Sequence, residues 1–177
     1  RTANVSDEIN EAIMRNVIRN LRLVVKNLQD ADARRELMWD SAMAENGILK
    51  LGKVTDFQAH MIEHQLGAYT DCNHGCGLAV IHPALYRHTY TGAVERFAHF
   101  AKTVWEVSAE GKTREETALA GIQALADFIK EIGLPTNFAE LGIEADEAMF
   151  RAVAETSNIQ AGCCKKLTAE EIFEILM

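Results

Sequence analysis

Residues 60–88 read HMIEHQLGAYTDCNHGCGLAVIHPALYRH, and this stretch predicts two helices joined by a short polar turn. Just before it, Thr55 and Gln58 have the spacing of a capping box, which predicts that the first helix begins ahead of the histidines. The Asp, Asn and Gly residues of 71–75 supply the turn. Pro83 then either kinks the second helix or marks its first turn. The stretch therefore favours a helical hairpin.

Apolar residues recur every three to four positions through most of the chain, which is the period of a helix packed against a core. Ser6 is predicted to cap the first helix, and Asp30 or Asp32 the second, which ends at Asn46 and Gly47. The predicted core stripe of the first helix comprises Ile9, Ile13, Val17, Leu21, Val24 and Leu28. Two later helices are predicted to begin at capping boxes, Thr113 with Glu116 and Thr168 with Glu171. The first of these ends at Gly133, with Pro135 beyond it, and a shorter helix is predicted over residues 146–156.

These signals predict an all-α, multi-helix fold with about seven or eight helices in one packed domain over residues 1–177. Strand patterns are few, and no strand precedes a glycine cluster. A dinucleotide or phosphate loop needs such a strand and its characteristic glycines. We therefore expect no loop of that kind in these residues.

The composition is that of an ordinary globular protein, with 48% hydrophobic and 25% charged residues among 177. A net charge of −8 argues against a nucleic-acid partner, because no basic stripe balances the acidic excess. No apolar run approaches the roughly 18 residues of a membrane span, so no membrane role is expected.

Neither a signal peptide nor an initiating Met begins the sequence, which opens RTANVSDEIN. We therefore expect the chain to be a piece of a longer protein. Its four cysteines do not have the spacing of a secreted disulfide framework, and neighbours such as Cys163 and Cys164 rarely pair. A reducing, cytoplasmic location is expected.

Histidines at 60, 64 and 74 form the strongest chemical signal. His60 and His64 stand four apart, so they share one helix face, and His74 is delivered by the following turn. Imidazoles converging in this way suit Zn²⁺, Fe²⁺ or Ni²⁺, and Asp56 is the nearest carboxylate that could complete the site. The other histidines, His82, His88 and His99, are interpreted as surface or hydrogen-bonded core residues.

Other interpretations remain open at this point. HMIEH also fits the H-x-x-E-H pattern of a zinc peptidase, with Glu63 as general base and a distant glutamate such as Glu140 as a ligand. That interpretation leaves His74 without a role. Cys72 and Cys76 form only a weak zinc motif. A non-enzymatic helical interaction domain with incidental histidines is the remaining alternative.

The stretch also resembles the metal-binding signature of the iron-containing (group III) alcohol dehydrogenases, especially the butanol dehydrogenase branch. Matching positions are His60, His64, Leu66, Ala68, His74, Gly75, Gly77, Leu78, Ala79 and Pro83. The segments ARRELMWDSAMAENGIL (33–49), IKEIGLPTNFAELGI (129–143) and LTAEEIFEIL (167–176) are similar to other helices of the family. The resemblance therefore covers essentially the whole chain.

This resemblance implies a two-domain enzyme of which residues 1–177 form the C-terminal, dehydroquinate synthase-like helical domain, with the N-terminal dinucleotide-binding domain absent from the chain. The family's metal has an Asp and three His ligands. His60 and His74 match two of them, and a D-x-x-x-H segment preceding residue 1 would supply the others. His64 matches a residue that lines the cleft between metal and nicotinamide, which implies both catalytic and cofactor-binding roles. Glu63 is interpreted as a polar residue on the cleft-facing helix.

The implied activity is an NAD(P)-linked oxidoreductase that interconverts small alcohols and aldehydes, butanol and butanal among them. Its implied cofactors are Fe²⁺ (or Zn²⁺) and NAD(H) or NADP(H), the nicotinamide being bound mainly by the missing domain. A homodimer is expected for the full-length protein. The isolated chain is expected to be inactive and to bind metal weakly.

Overall fold

The protein is all-helical in a computed structural model that describes residues 4–144 and 146–177. Within these ranges there are eight α-helices, two short 3₁₀ helices (Ile48–Lys50 and Tyr90–Ala93) and no strand, which confirms the predicted fold class. None of the helices described combines the length and hydropathy needed to cross a membrane. The α-helices are α1 (Val5–Lys26), α2 (Ala31–Glu45), α3 (Gln58–Thr70), α4 (His74–Thr89), α5 (Val94–Val104), α6 (Arg114–Glu131), α7 (Glu147–Thr156) and α8 (Ala169–Leu176).

The described chain divides into two compact units. The first runs to Val54 and continues through Glu95–Gly121, and the second comprises Thr55–Val94 and Ile122–Met177. The candidate histidines lie in the second unit. Its core is formed where α3, α4, α7 and α8 pack together, around the buried side chains of Ile62, Leu66, Ile81, Leu85, Phe150, Val153, Ile172 and Leu176.

Helix α1 of the first unit packs differently from the prediction. None of its predicted stripe is fully buried: five members are partly exposed, and Leu28 lies beyond the helix end with 64% of its surface exposed. The buried residues of α1 are instead polar: Ser6, Asp7 and Asn20. The prediction of a fully buried core stripe was therefore wrong, because its five helical members are only partly buried within this unit.

Several predicted helix ends are confirmed. Asp30 caps α2 by accepting from the Ala33 N–H, and Asn46 ends that helix ahead of Gly47, whose φ of +87° lies in the left-handed region. Thr168 and Glu171 form the predicted capping box of α8. The pair Thr113 and Glu116 also exchange reciprocal bonds, of 3.1 and 2.7 Å, at the start of α6.

Two predicted boundary features are corrected, and a third is decided between its two alternatives. Asn4, not Ser6, caps α1, because its side chain accepts from the Asp7 N–H. Thr55 and Gln58 form no capping box, since α3 begins at Gln58, where Asp56 accepts the backbone N–H at 3.0 Å. Of the two positions predicted for Pro83, the structure shows the one within the helix, because Pro83 lies inside α4 and not in its first turn.

Candidate metal centre

Helix α3 presents two histidines on the face opposite its buried side. Residues buried in the core recur at Ala59, Ile62 and Leu66, the spacing of one helix face. His60 and His64 lie on the other face, with ring centroids 6.2 Å apart. Packing of the apolar face therefore fixes the direction in which both imidazoles project.

A tight turn between α3 and α4 supplies the third histidine. Asp71 adopts a left-handed conformation (φ 54°), and its N–H donates to Gly67 O as α3 ends. Two residues later, Asn73 caps α4 by accepting from the Cys76 N–H, which makes His74 the first residue of that helix. The chain thus reverses within a few residues, and the His74 ring returns to α3.

The three rings converge. The His74 centroid lies 5.2 Å from that of His60 and 5.4 Å from that of His64. One ligand atom from each histidine lies within 4.8 Å of the others, and no second group of His, Cys, Asp and Glu in residues 4–144 and 146–177 approaches so closely. Two of the residues are exposed and His60 is half-buried, so the cluster is accessible. Imidazole donors at this separation suit a borderline divalent metal such as Fe²⁺ or Zn²⁺.

Glu63 is a buried residue that contacts the histidine cluster. Its side chain is only 2% exposed, and His74 Nδ1–H donates to Oε2 of its carboxylate. The Cys72 thiol approaches the other oxygen, Oε1, at 3.9 Å. Sequence reasoning interpreted Glu63 as a polar residue on the cleft-facing helix and did not foresee its burial or its bond to His74. The available signal was spacing, because position 63 follows the buried Ala59 by four and precedes the buried Leu66 by three.

Other candidate ligands are engaged elsewhere. Asp56 accepts the backbone N–H groups of Gln58 (3.0 Å) and Cys163 (2.8 Å) and is not part of the histidine group. Glu140 is exposed and accepts from Thr136 N–H at 2.8 Å. The structure therefore does not bring either carboxylate to the histidines.

The remaining histidines have separate partners, as expected. His82 Nδ1 lies 3.1 Å from Leu78 O, and burial holds the pKa of His82 below its ordinary value. His88 pairs with Glu171 at 3.3 Å, and His99 pairs with Glu11 at 2.7 Å. These three imidazoles bind other partners and are not part of the histidine cluster.

An aromatic ring lies next to the cluster. Phe57, immediately before α3, has its centroid 5.0 Å from that of His60 and is 43% exposed. An apolar ring at this position shields one side of the imidazole while leaving the others open.

The sequence model for the C-terminal part of the Fe-containing alcohol dehydrogenase family matches residues 1–177. The chain belongs to this family. NADH-dependent butanol dehydrogenase A of Clostridium acetobutylicum is 32% identical over 176 residues, which are 98% of this chain and 45% of that protein. NADPH-dependent aldehyde reductase YqhD of Escherichia coli is 27% identical over 162 residues, 90% of this chain and 41% of that protein.

A solved structure shares the fold of this alcohol dehydrogenase domain. NADH-dependent butanol dehydrogenase A of Thermotoga maritima superposes with a TM-score of 0.88 at 30% identity, covering 98% of this chain and 45% of that one. The chain thus spans less than half the length of these relatives. The family is described as Fe-containing, and these two relatives are named for dependence on NADH and NADPH.

Family membership and geometry together exclude the zinc peptidase interpretation. A peptidase base must reach a metal-bound water, whereas the Glu63 carboxylate is buried and holds the His74 ring. His74, which that interpretation left unused, is part of the cluster. The weak zinc motif also fails, because Cys72 and Cys76 lie outside the histidine group, the one candidate metal cluster among the described residues.

Proposed function

We propose that the full-length protein is a metal-dependent, NAD(P)-linked alcohol dehydrogenase that interconverts small alcohols and aldehydes, and that this chain is its helical metal-binding domain. The observation that carries the proposal is the convergence of His60, His64 and His74 within 4.8 Å. It occurs in a chain that matches the family model from residue 1 to 177.

Within the cluster we assign His60 and His74 as metal ligands. Support comes from the signature that they match, in which both positions are ligands, and from the approach of their ring centroids to 5.2 Å. The Glu63 hydrogen bond to His74 is also the kind of outer partner that metal-ligating histidines have. When bound, Fe²⁺ or Zn²⁺ would supply Lewis acidity toward the oxygen of an alcohol or aldehyde.

Two imidazoles do not complete a tetrahedral or octahedral site. The remaining ligands, an Asp and a His, are proposed to come from a D-x-x-x-H segment outside these 177 residues. On this basis the isolated chain is an incomplete site that binds metal weakly and has no dehydrogenase activity.

His64 is assigned to the nicotinamide side of the cleft. Its imidazole is exposed and lies 5.4 Å, between centroids, from the proposed ligand His74. From there it shapes the space for the cofactor or moves a proton between substrate and solvent, which are roles that histidine side chains take in enzymes.

Relatives guide the choice of substrate and cofactor. The Clostridium acetobutylicum protein is named for butanol and NADH, and the Escherichia coli protein for aldehyde reduction with NADPH. We therefore propose a butanol-like primary alcohol with NAD(H) or NADP(H), held mainly by a dinucleotide-binding domain outside this chain. A homodimer is proposed for the full-length enzyme. The spacing of the four cysteines, which is not that of a secreted disulfide framework, supports a reducing, cytoplasmic location.

The assignment is tested on the full-length protein by metal analysis and by turnover of butanal. His60→Ala and His74→Ala are each expected to lose most of the bound metal and most of the activity. His64→Ala should keep its metal but lose turnover and change the pH profile. His99→Gln, a histidine paired with Glu11 outside the cluster, is the matched control.

Full metal content and full turnover in the His60 and His74 variants would overturn the proposed site. Loss of metal in the His64 variant would show that His64 is a ligand and would overturn its assignment to the cleft. A His64 variant with unchanged turnover across pH would equally refute its catalytic role.

A further inference from the structure

Glu63 is the one buried acidic residue among the described positions of the second unit. Burying a carboxylate is costly unless strong hydrogen bonds replace its hydration. In the first unit, the buried carboxylate of Asp7 is bound by Arg96 and Lys53 at 2.9 Å. The Glu63 carboxylate is instead bound by His74, with the Cys72 thiol 3.9 Å away. The His74 imidazole thus provides for Glu63 the hydrogen bond that the cations Arg96 and Lys53 provide for Asp7.

The space for this side chain is built into α4. A Cβ added to Gly77 would lie 2.8 Å from both Cγ and Oε1 of Glu63, closer than real Cβ contacts. On α3 itself, a Cβ at Gly67 would lie 3.6 Å from Oε1. Two glycines therefore border the carboxylate, and at Gly77 any larger residue would displace it. The absence of side chains at Gly67 and Gly77 therefore leaves a space between α3 and α4 that the Glu63 carboxylate fills.

The contact has a chemical consequence for His74. A carboxylate oxygen accepts hydrogen bonds, so the Nδ1 facing it must carry the proton. In a neutral imidazole, the other nitrogen, Nε2, then has the free lone pair. An Nδ1–H to carboxylate bond also limits rotation of the ring and raises the basicity of the ligand nitrogen.

We propose that Glu63 is a positioning residue for the metal centre: from its buried place beside Gly77 it holds His74 in the Nδ1–H tautomer with Nε2 available to the metal. The inference rests on the proposed function in one respect, the assignment of His74 as a ligand. Glu63 contacts neither substrate nor cofactor in this scheme and acts only through His74.

The test uses the full-length protein with Zn²⁺ and Co²⁺ as probes and a competing chelator to measure affinity. Glu63→Ala is expected to weaken binding by about 10–100-fold, the usual effect of removing an outer partner of a metal ligand. Glu63→Gln keeps an oxygen that accepts from Nδ1–H, so it should recover much of the affinity. Glu155→Gln, an exposed glutamate of α7 in the same unit, is the matched control and should bind metal normally.

A second readout is independent of metal. In the metal-free protein, ¹⁵N NMR of the imidazoles should show His74 as the Nδ1–H tautomer in the unmodified and Glu63→Gln proteins, and as a tautomer mixture in Glu63→Ala. If Glu63→Ala does not fold, the Glu63→Gln variant decides. A retained His74 tautomer, with a metal affinity near that of the unmodified protein, supports the proposal. A mixture of His74 tautomers overturns it.

Unchanged affinity and an unchanged His74 tautomer in Glu63→Ala would overturn the positioning role. This failure is distinct from failure of the proposed function. If the His60 and His74 variants lose metal while Glu63→Ala does not, the metal site stands and only the role of Glu63 falls. If the His74 variant keeps its metal, the ligand assignment itself is wrong.

Discussion

Gln58 binds the backbone of Leu167 across 109 positions of sequence: the Leu167 N–H donates to Oε1 of Gln58 at 2.8 Å. The same side chain donates through Nε2 to Lys165 O at 2.8 Å. Gln58 is 1% exposed and is the first residue of α3, two positions before His60. One buried amide therefore ties the start of the histidine helix to the segment that leads into α8.

Replacing Gln58 with Met is expected to destabilise the protein by about 1–3 kcal/mol, because the buried N–H of Leu167 would lose its partner; the part-buried Lys165 carbonyl would lose its bond at a smaller cost. Denaturant unfolding followed by circular dichroism measures the loss. The exposed Gln123, which bonds Arg87 and Asp127, offers a control in which Gln→Met should change little. Hydrogen exchange gives a local check, since the Leu167 amide should lose protection. An amide that exchanges at its original rate would contradict the expected effect.

Gly77→Ala is expected to cost about 1–3 kcal/mol, the usual penalty for overpacking a filled interior. The added methyl group would meet Cγ and Oε1 of Glu63 at 2.8 Å. Thermal unfolding measures the change. Gly75→Ala is the matched control, because its Cβ would meet only Asn73 Oδ1, at an ordinary 3.5 Å. A double variant with Glu63→Ala separates the causes: the alanine at 77 should cost much less once the carboxylate is absent. An equal cost in both backgrounds would show that the contact is not responsible.

Asp7→Asn probes the buried ion pair of the first unit. Bonds from Arg96, and then from Lys53, hold the pKa of Asp7 well below its ordinary value of 3.8. A carboxyl with a depressed folded-state pKa contributes stability that is present above that ordinary value and lost as the pH falls through the folded pKa. At pH 7 the variant should lose about 1–3 kcal/mol, a range reduced because Arg96 is half-exposed and solvent screens the pair.

The difference in unfolding free energy between the two proteins should narrow steadily as the pH is lowered below about 4. Urea unfolding at several pH values provides the measurement. Asp32→Asn is the comparison variant, since Asp32 pairs with Arg35 on the surface and should show little change at any pH. A constant difference for Asp7→Asn from pH 7 to pH 2 would argue against the ion pair as its source.

Gly121→Ala tests the close approach of α5 and α6. A Cβ at position 121 would lie 2.4 Å from the Cβ of Ala101 and 2.7 Å from its Cα. A helix-interior alanine is normally about 1 kcal/mol better than glycine, so destabilisation here would have to come from the contact. We expect a loss of about 1–3 kcal/mol in the unfolding free energy. Adding Ala101→Gly removes the nearer atom but not the Cα, so it should restore only part of the stability. Full stability in the single variant would show that the helices separate without cost.

Local signals explain why much of the fold is predictable from sequence. Asp30, Thr113 and Thr168 mark helix starts through bonds to backbone groups three residues away, and such bonds depend little on the rest of the chain. The convergence of His60 and His64 likewise follows from helix geometry. His74 could be expected nearby because the turn is short, although only the structure gives its separation from each ring.

Features set by distant packing were not predictable in the same way. The stripe on α1 repeats like a core face, yet its burial depends on what packs against it, and the buried positions of that helix proved polar. Glu63 appeared to be an ordinary polar helix residue, because its burial depends on Gly77 of the next helix. A periodic pattern predicts which residues share a face but not what covers that face.

The short distance along the chain between His60 and His74 also has a consequence for folding. Both proposed ligands and the carboxylate between them lie within residues 60–74, on two consecutive helices. Closing a loop of this length costs little entropy, and local contacts form early in folding. We expect the histidine pair to come close early in folding, and its final geometry to be fixed when α7 and α8 complete the core beneath it.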